Sequence, residues 1–135
     1  MPNNTRAPSA EITPESIRRL VESFYGRVQE DPELGPIFEA VIGRREGGWP
    51  PHLERMTAFW SAVLLHQPGF RGNPRLAHDR VGGIGPAHFA RWLFLFRLEA
   101  HRVFTEAPAR RIVAKAEAMA VHLQRPSPIG GIRAR

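Results

Sequence analysis

The side chains that could do chemistry in this chain are histidines and aromatic residues with a polar atom, because the 135-residue sequence contains no cysteine. The absence of cysteine excludes disulfides, iron–sulfur clusters, thiolate zinc sites and cysteine nucleophiles. The six histidines never stand four residues apart, so no predicted helix carries the His pair of a zinc site. They are His52, His66, His78, His88, His101 and His122. A bound metal would therefore use His or carboxylate ligands, or arrive inside a cofactor.

Four side chains stand where they could serve a site. His78 closes the short segment Pro74–His78 inside a long irregular stretch, where a side chain can point inward without belonging to a helix face. Tyr25 lies on the apolar face of a predicted helix, and a buried phenol needs a hydrogen-bond partner. Trp92 raises the same question, because its indole N–H can only donate. Taken one at a time, each has an ordinary explanation: His78 and His52 as surface residues, and the two aromatic residues as core.

Two common catalytic motifs are missing from the sequence. The glycine-rich segment Gly82–Gly85 is not followed by the Lys-Ser/Thr pair of a phosphate-binding loop, and no predicted strand precedes it. Ser61 lies in the middle of a predicted helix rather than on the strand-to-helix turn of a nucleophile elbow. Nucleotide-dependent and hydrolase chemistry are therefore disfavoured.

Four substantial helices must position these residues. Thr13 followed by Pro14 is a helix start, and apolar residues then recur at helical spacing up to Asp31-Pro32, which ends the helix. A short apolar piece follows, and the other helices are predicted from Pro50 to Leu65, from Pro86 to about Phe104, and from Glu106 to about Leu123. No segment alternates with period two for long enough to form a strand. The sequence thus predicts an all-α fold with a long irregular crossing before Pro86, and such crossings are usually functional.

Composition and charge bound the class of protein. With 42% hydrophobic and 24% charged residues, the chain suits one globular domain, which we place at residues 13–124 between disordered tails at 1–12 and 125–135. The net charge of +6 comes almost wholly from arginines scattered along the chain, because Lys115 is the only lysine, so a nucleic-acid-binding stripe is disfavoured. Charges interrupt every apolar run, and from the first residues of the sequence we expect no secretory signal. We expect a cytoplasmic protein without a membrane or nucleic-acid partner.

Considered together, these residues resemble the group III truncated haemoglobins. The resemblance spans about residues 13 to 123 and rests on the order and spacing of several short elements. They are Phe24-Tyr25, Asp31-Pro32-Glu33-Leu34-Gly35-Pro36-Ile37-Phe38, Trp49 with His52, Phe59-Trp60, Gly72-Asn73-Pro74, His78 and the run His88 to Phe96.

The resemblance implies a truncated globin, a two-over-two helical sandwich around haem b. By position, His78 corresponds to the proximal ligand of the haem iron. Tyr25, Trp92 and His52 correspond to distal residues, of which His52 can act as a gate in this family. Phe38 corresponds to the phenylalanine packed on the haem plane, and the remaining cofactor-binding candidates are Phe59, Trp60 and Arg75. Arg75 is our candidate for the haem propionates, with Arg44 and Arg45 as weaker candidates and solvated surface positions as the alternative for all three.

The function that this resemblance implies is binding of dioxygen, CO and NO at the haem iron, with NO detoxification or oxygen handling as the expected role. Whether the protein is an enzyme stays open: NO dioxygenation would need an external reductase, since no flavin or nicotinamide domain fits in this length. A peroxidase-like haem enzyme is one alternative. A basic helical module that binds nucleic acid or protein is a lower-ranked one. We expect a monomer or a weak dimer.

Overall fold

The computed structural model describes residues 7–67 and 85–124, and this part of the chain is helical, as the sequence predicts. Helix α1 spans Pro14–Glu30, α2 spans Leu34–Phe38 and continues into a π-helical turn at Glu39–Gly43, α3 spans Trp49–Leu65, α4 spans Pro86–Val103 and α5 spans Glu106–Gln124. The described residues contain no strand, only one isolated bridge between Ser9 and Phe104. None of the helices in these ranges combines the length and apolarity that crossing a membrane requires. The turn predicted at Pro74–His78 lies outside the described residues.

The start of α1 has the cap that the sequence predicts. The Thr13 hydroxyl accepts a hydrogen bond from the Ser16 N–H at 3.1 Å, and the Ser16 hydroxyl accepts one from the Thr13 N–H at 2.8 Å. This reciprocal pair satisfies two backbone donors that a helix start otherwise leaves free. The buried face of α1 then follows the predicted spacing: Ile17, Leu20, Val21, Phe24, Tyr25 and Val28.

Asp31 joins the end of α1 to two other helices. Its carboxylate accepts hydrogen bonds from the backbone N–H groups of Glu33 and Leu34, at 3.0 and 2.9 Å, where α2 begins. The guanidinium of Arg91 on α4 approaches the same carboxylate with Nε at 2.8 Å and Nη2 at 2.5 Å. The hydrogen bond from Arg91 holds the pKa of Asp31 below its ordinary value, aided by the two backbone donors and opposed by desolvation. Asp31 is therefore ionised at neutral pH and ties α1, α2 and α4 together.

Replacing Asp31 with asparagine should lower the unfolding free energy by about 1–2 kcal/mol, because the charge opposite Arg91 is lost while the amide oxygen still accepts from the backbone. Urea unfolding at neutral pH measures the change. Glu33→Gln is the matched control, since it removes a neighbouring exposed carboxylate. An Asp31→Asn variant as stable as wild type would show that the charge of Asp31 contributes nothing measurable.

A second carboxylate, that of Glu99 on α4, fixes α4 against α1. The Glu99 side chain is completely buried, yet two half-exposed arginines pair with it: Arg27 Nε lies 2.8 Å from Oε2 and Arg102 Nη2 lies 2.6 Å from Oε1. The Ser23 hydroxyl also donates to Oε1. Ser23 and Arg27 stand on either side of Tyr25 along α1, so this network fixes the turn of helix that carries Tyr25.

Residues 9–12, which the composition places in the N-terminal tail, contact the helical domain. The Ser9 N–H donates to the Val103 carbonyl at 2.8 Å, and the Thr105 N–H donates to the Ser9 carbonyl at 2.9 Å. Ile12 packs against the core. These backbone hydrogen bonds leave no trace in the side-chain pattern, which is why composition alone assigns the segment to a tail. The outer limits of the domain stay a prediction.

Candidate functional site

Tyr25 is the buried phenol at the centre of the candidate site. Its side chain is only 5% exposed. The ring meets the rings of Phe24 and His52 edge to face, with both pairs of centroids 4.9 Å apart. Burial raises the pKa of the Tyr25 hydroxyl well above its ordinary value, because a phenolate would lose its hydration there. Tyr25 therefore keeps its proton and can act as a hydrogen-bond donor at neutral pH.

His52 lies beside Tyr25 in the first turns of α3. This helix begins at Trp49 and has prolines in its first turn, where a backbone N–H would have no partner within the helix. Gly48, which precedes the helix, has a positive φ. The Nε2 atom of His52 is buried and has no hydrogen-bond partner among the described residues. Burial lowers the pKa of His52 to about 4, and repulsion from Arg55 and Arg45 adds to the effect. The imidazole is therefore neutral at pH 7, with a buried polar nitrogen available to a further partner.

The low pKa of His52 makes protein stability depend on pH. Between about 4 in the folded chain and 6.5, the ordinary value, the unfolded chain binds a proton here that the folded chain does not. The contribution of His52 to the unfolding free energy therefore falls as the pH falls through this window. Because the ring is only half-buried, we expect a loss of about 1–2 kcal/mol. Urea unfolding of wild type and His52→Gln at about pH 7 and pH 4.5 measures it, and a stability difference independent of pH would contradict it.

Trp49 is a third aromatic side chain, in contact with both Tyr25 and His52. Its ring centroid lies 6.0 Å from that of Tyr25 and 5.8 Å from that of His52. The indole Nε1–H donates to Oε1 of Glu39 at 2.9 Å. The sequence pairs Trp49 with His52 in the family pattern but gives it no role. The available signal is spacing: residues 49 and 52 are three apart, and side chains at that spacing share one face of a helix.

Trp92 approaches the site from α4 through Phe24. The half-buried indole stacks on Phe96 with centroids 5.2 Å apart and 4° between the planes, and it meets Phe24 edge to face at 5.0 Å. Phe24 is thus in edge contact with Tyr25 on one side and Trp92 on the other. The structure therefore connects the predicted distal residues through one aromatic side chain of the core.

The remaining predicted site residues are distributed around this cluster. Phe38 is buried at the end of α2. Trp60 is buried in the core, where it stacks on Phe96 at 5.3 Å, and the half-buried Phe59 meets it edge to face. Arg44 and Arg45, the weaker propionate candidates, are exposed. His78 and Arg75 lie outside the described residues, so their roles stay predictions.

Two features near the site escape sequence reasoning: the Glu99 network and the Glu39–Trp49 hydrogen bond. Glu99 had a signal, because it falls among apolar residues on the buried face of α4, and a carboxylate there needs cationic partners. Glu39 had none, since it is an exposed residue of a short helical turn. No group of three His, Asp or Glu side chains within residues 7–67 and 85–124 could hold a metal ion.

Comparison with known proteins identifies the family. No family model matches the chain. It is 34% identical over 113 residues to the group 3 truncated haemoglobin ctb of Campylobacter jejuni, an alignment that covers 84% of this chain and 89% of that protein. The crystal structure of a group III truncated haemoglobin from the same organism matches with a TM-score of 0.82 at 32% identity, covering 87% of this chain and 93% of that one. Similarity of this degree over nearly the whole of both chains shows that the protein belongs to the group III truncated haemoglobins.

Proposed function

We propose that the protein binds haem b, with His78 as the proximal iron ligand, and takes up dioxygen and other diatomic gases beside Tyr25, His52 and Trp92. The observation that carries the proposal is the buried Nε2 of a neutral His52, which has no partner among the described residues and lies next to a buried phenol. A buried polar atom without a hydrogen-bond partner costs free energy. The unpartnered His52 nitrogen beside the Tyr25 phenol therefore supports the binding of a small polar ligand at this place.

The residues present fit a haem group. When bound, haem supplies an iron with one coordination position open to a gas molecule. His78 would hold that iron through a neutral imidazole nitrogen, and a neighbouring acceptor would orient its other ring nitrogen. Phe38, Phe59 and Trp60 would supply apolar contacts, and Arg75 would pair with a propionate.

The distal side chains of this chain would select among the gases. Tyr25 keeps its proton because burial raises its pKa, so its hydroxyl would donate to a ligand atom that carries partial negative charge. The Trp92 indole can act only as a donor as well. Both donors would favour dioxygen over carbon monoxide, which carries much less charge when bound, and an apolar aromatic surround strengthens such hydrogen bonds.

The expected role is NO detoxification or oxygen handling in the cytoplasm. When bound, haem would supply the redox chemistry for oxidising NO with dioxygen, and repeated turnover would need electrons from an external reductase. The protonated Tyr25 hydroxyl and the Trp92 indole N–H, both of which would donate to bound dioxygen, support this role.

Absorption spectra of the purified protein test the proposal. We expect a red protein with a Soret band in the ferric form and further characteristic bands in the ferrous and CO-bound forms. Colourless protein that fails to take up hemin would contradict the proposal and would favour the basic helical binding module.

A further inference from the structure

The hydrogen bond between Glu39 and Trp49 closes the loop that leads into α3. Glu39 is the first residue of the π-helical turn, and its Oε1 accepts from Trp49 Nε1 at 2.9 Å. The intervening chain includes Gly47 and Gly48, with φ of 86° and 66°, a conformation that residues with a side chain rarely adopt. The two ends of this sharply turned loop are thus joined by a contact between side chains.

Gly43 leaves the space that the Glu39 carboxylate occupies. A Cβ atom placed on Gly43 would fall on the carboxylate of Glu39, which folds back over the end of the π-helical turn. The backbone of Gly43 is helical, so a side chain at this position is excluded by lack of space and not by an unusual φ. Single turns of this π type are frequent at functional sites. The turn therefore presents the carboxylate to the indole.

Trp49, held by Glu39, in turn contacts Tyr25 and His52. Its ring lies against both Tyr25 and His52, while its only polar hydrogen is committed to Glu39. Trp49 therefore does not donate to a ligand, and its contribution is the position of its ring. If the ring moved, His52 would lose an aromatic neighbour and its buried Nε2 would become accessible to water.

We propose that Glu39 is a positioning residue: by anchoring Trp49 through the indole N–H, it holds the ring against Tyr25 and His52 and restricts the access of small ligands to them. This role rests on the proposed function, because the restricted ligands are the gases that bind on the distal side. Glu39 itself is exposed, and its carboxylate accepts the indole N–H of Trp49, so its effect on the ligands would pass through Trp49.

Four variants separate the hydrogen bond from the charge. Glu39→Ala removes the acceptor, whereas Glu39→Gln removes the charge but keeps an acceptor oxygen. Gly43→Ala leaves Glu39 in the sequence and displaces its carboxylate by occupying its space. Glu46→Ala is the matched control, because it removes an exposed carboxylate from the same loop.

The first measurement is the rate of CO association with the ferrous haem protein after flash photolysis. Glu39→Ala and Gly43→Ala should raise it by about three- to tenfold, a range that corresponds to the loss of one hydrogen bond of ordinary net strength at an exposed position. Glu39→Gln and Glu46→Ala should stay within about twofold of wild type. An unchanged rate in Glu39→Ala, or a rate in Glu39→Gln as high as in Glu39→Ala, would overturn the proposal.

The second measurement is the titration of the His52 ring by NMR, using the diamagnetic CO complex. In wild type the His52 pKa is about 4 because the ring is shielded from water. In Glu39→Ala it should move up towards the ordinary value of a histidine, and in Glu39→Gln it should stay low. An equally low pKa in Glu39→Ala would overturn the proposal. If wild type shows no Soret band, the proposed function fails, while the same titration on the colourless protein still tests the anchor.

Discussion

Replacing His78 with alanine should abolish stable haem retention, because no other histidine can take its place at the iron. His52 lies beside Tyr25, which the proposed function places on the distal side. His66 and His122 are exposed, and His101 is an exposed residue 3.8 Å from Glu106. The remaining one, His88, accepts the Gly85 N–H with Nδ1 at 3.0 Å and so serves the start of α4. Loss of the imidazole ligand should leave a protein that releases haem, or one whose iron is restored by added imidazole.

The measurement is the haem-to-protein ratio after gel filtration, followed by the ferrous-CO spectrum with and without exogenous imidazole. His122→Ala is the matched control, since it removes an exposed histidine from α5 and should retain haem fully. A His78→Ala protein with a native ferrous-CO spectrum in the absence of imidazole would refute the assignment of the proximal ligand. Loss of haem from the control as well would show that the variants fail for a general reason.

Periodicity and capping predicted the helices closely because both act within a few residues of chain. Thr13 and Asp31 limit α1 as their side-chain chemistry suggests, and the predicted start at Pro50 lies one residue from the observed start of α3. The π-helical turn at Glu39–Gly43 was not predicted, since its residues carry no turn or cap signal. Local sequence thus fixes where the long helices run and leaves short irregular turns undetermined.

Contacts between site residues on separate helices cannot be predicted from local sequence. Helical spacing places Tyr25 on an inward face, but only the family resemblance indicated that it faces His52, because the two lie on separate helices. The pairing of Glu99 with Arg27 was out of reach for the same reason, as Arg27 stands on α1 and periodicity does not say which helices pack together. For His78 and Arg75 the resemblance is still the only guide, since both lie outside the described residues.

The packing around Phe24 links Tyr25 and Trp92, the two donors of the proposed function. Tyr25 and Trp92 lie against the same phenylalanine ring, at 4.9 and 5.0 Å, and that ring also contacts Phe96 at 5.2 Å. Interiors packed this closely do not let one ring shift without moving its neighbours. Tyr25 and Trp92 are therefore positioned by a shared neighbour, and we expect their contributions to ligand retention not to be simply additive.

Tyr25→Phe should consequently speed dioxygen release by about ten- to a hundredfold. A hydrogen bond to a partly anionic ligand is worth roughly 1.5–3 kcal/mol, and about 1.4 kcal/mol corresponds to tenfold in a dissociation constant. The loss should appear mainly in the dissociation rate, because the bond forms only after the ligand has arrived. The ring itself is kept, so its edge contacts with Phe24 and His52 persist. Stopped-flow displacement of dioxygen by CO measures the rate.

Carbon monoxide provides the internal control, because it carries little charge when bound and its release should change far less than that of dioxygen. Equal acceleration of both gases would instead indicate a general loosening of the pocket. The double variant Tyr25→Phe with Trp92→Phe tests the coupling through Phe24: if Trp92 donates more strongly once Tyr25 is gone, the double variant should release dioxygen faster than the product of the two single effects predicts. If dioxygen release is unchanged in both the Tyr25→Phe and the double variant, these two residues do not form the donor pair that the proposed function requires.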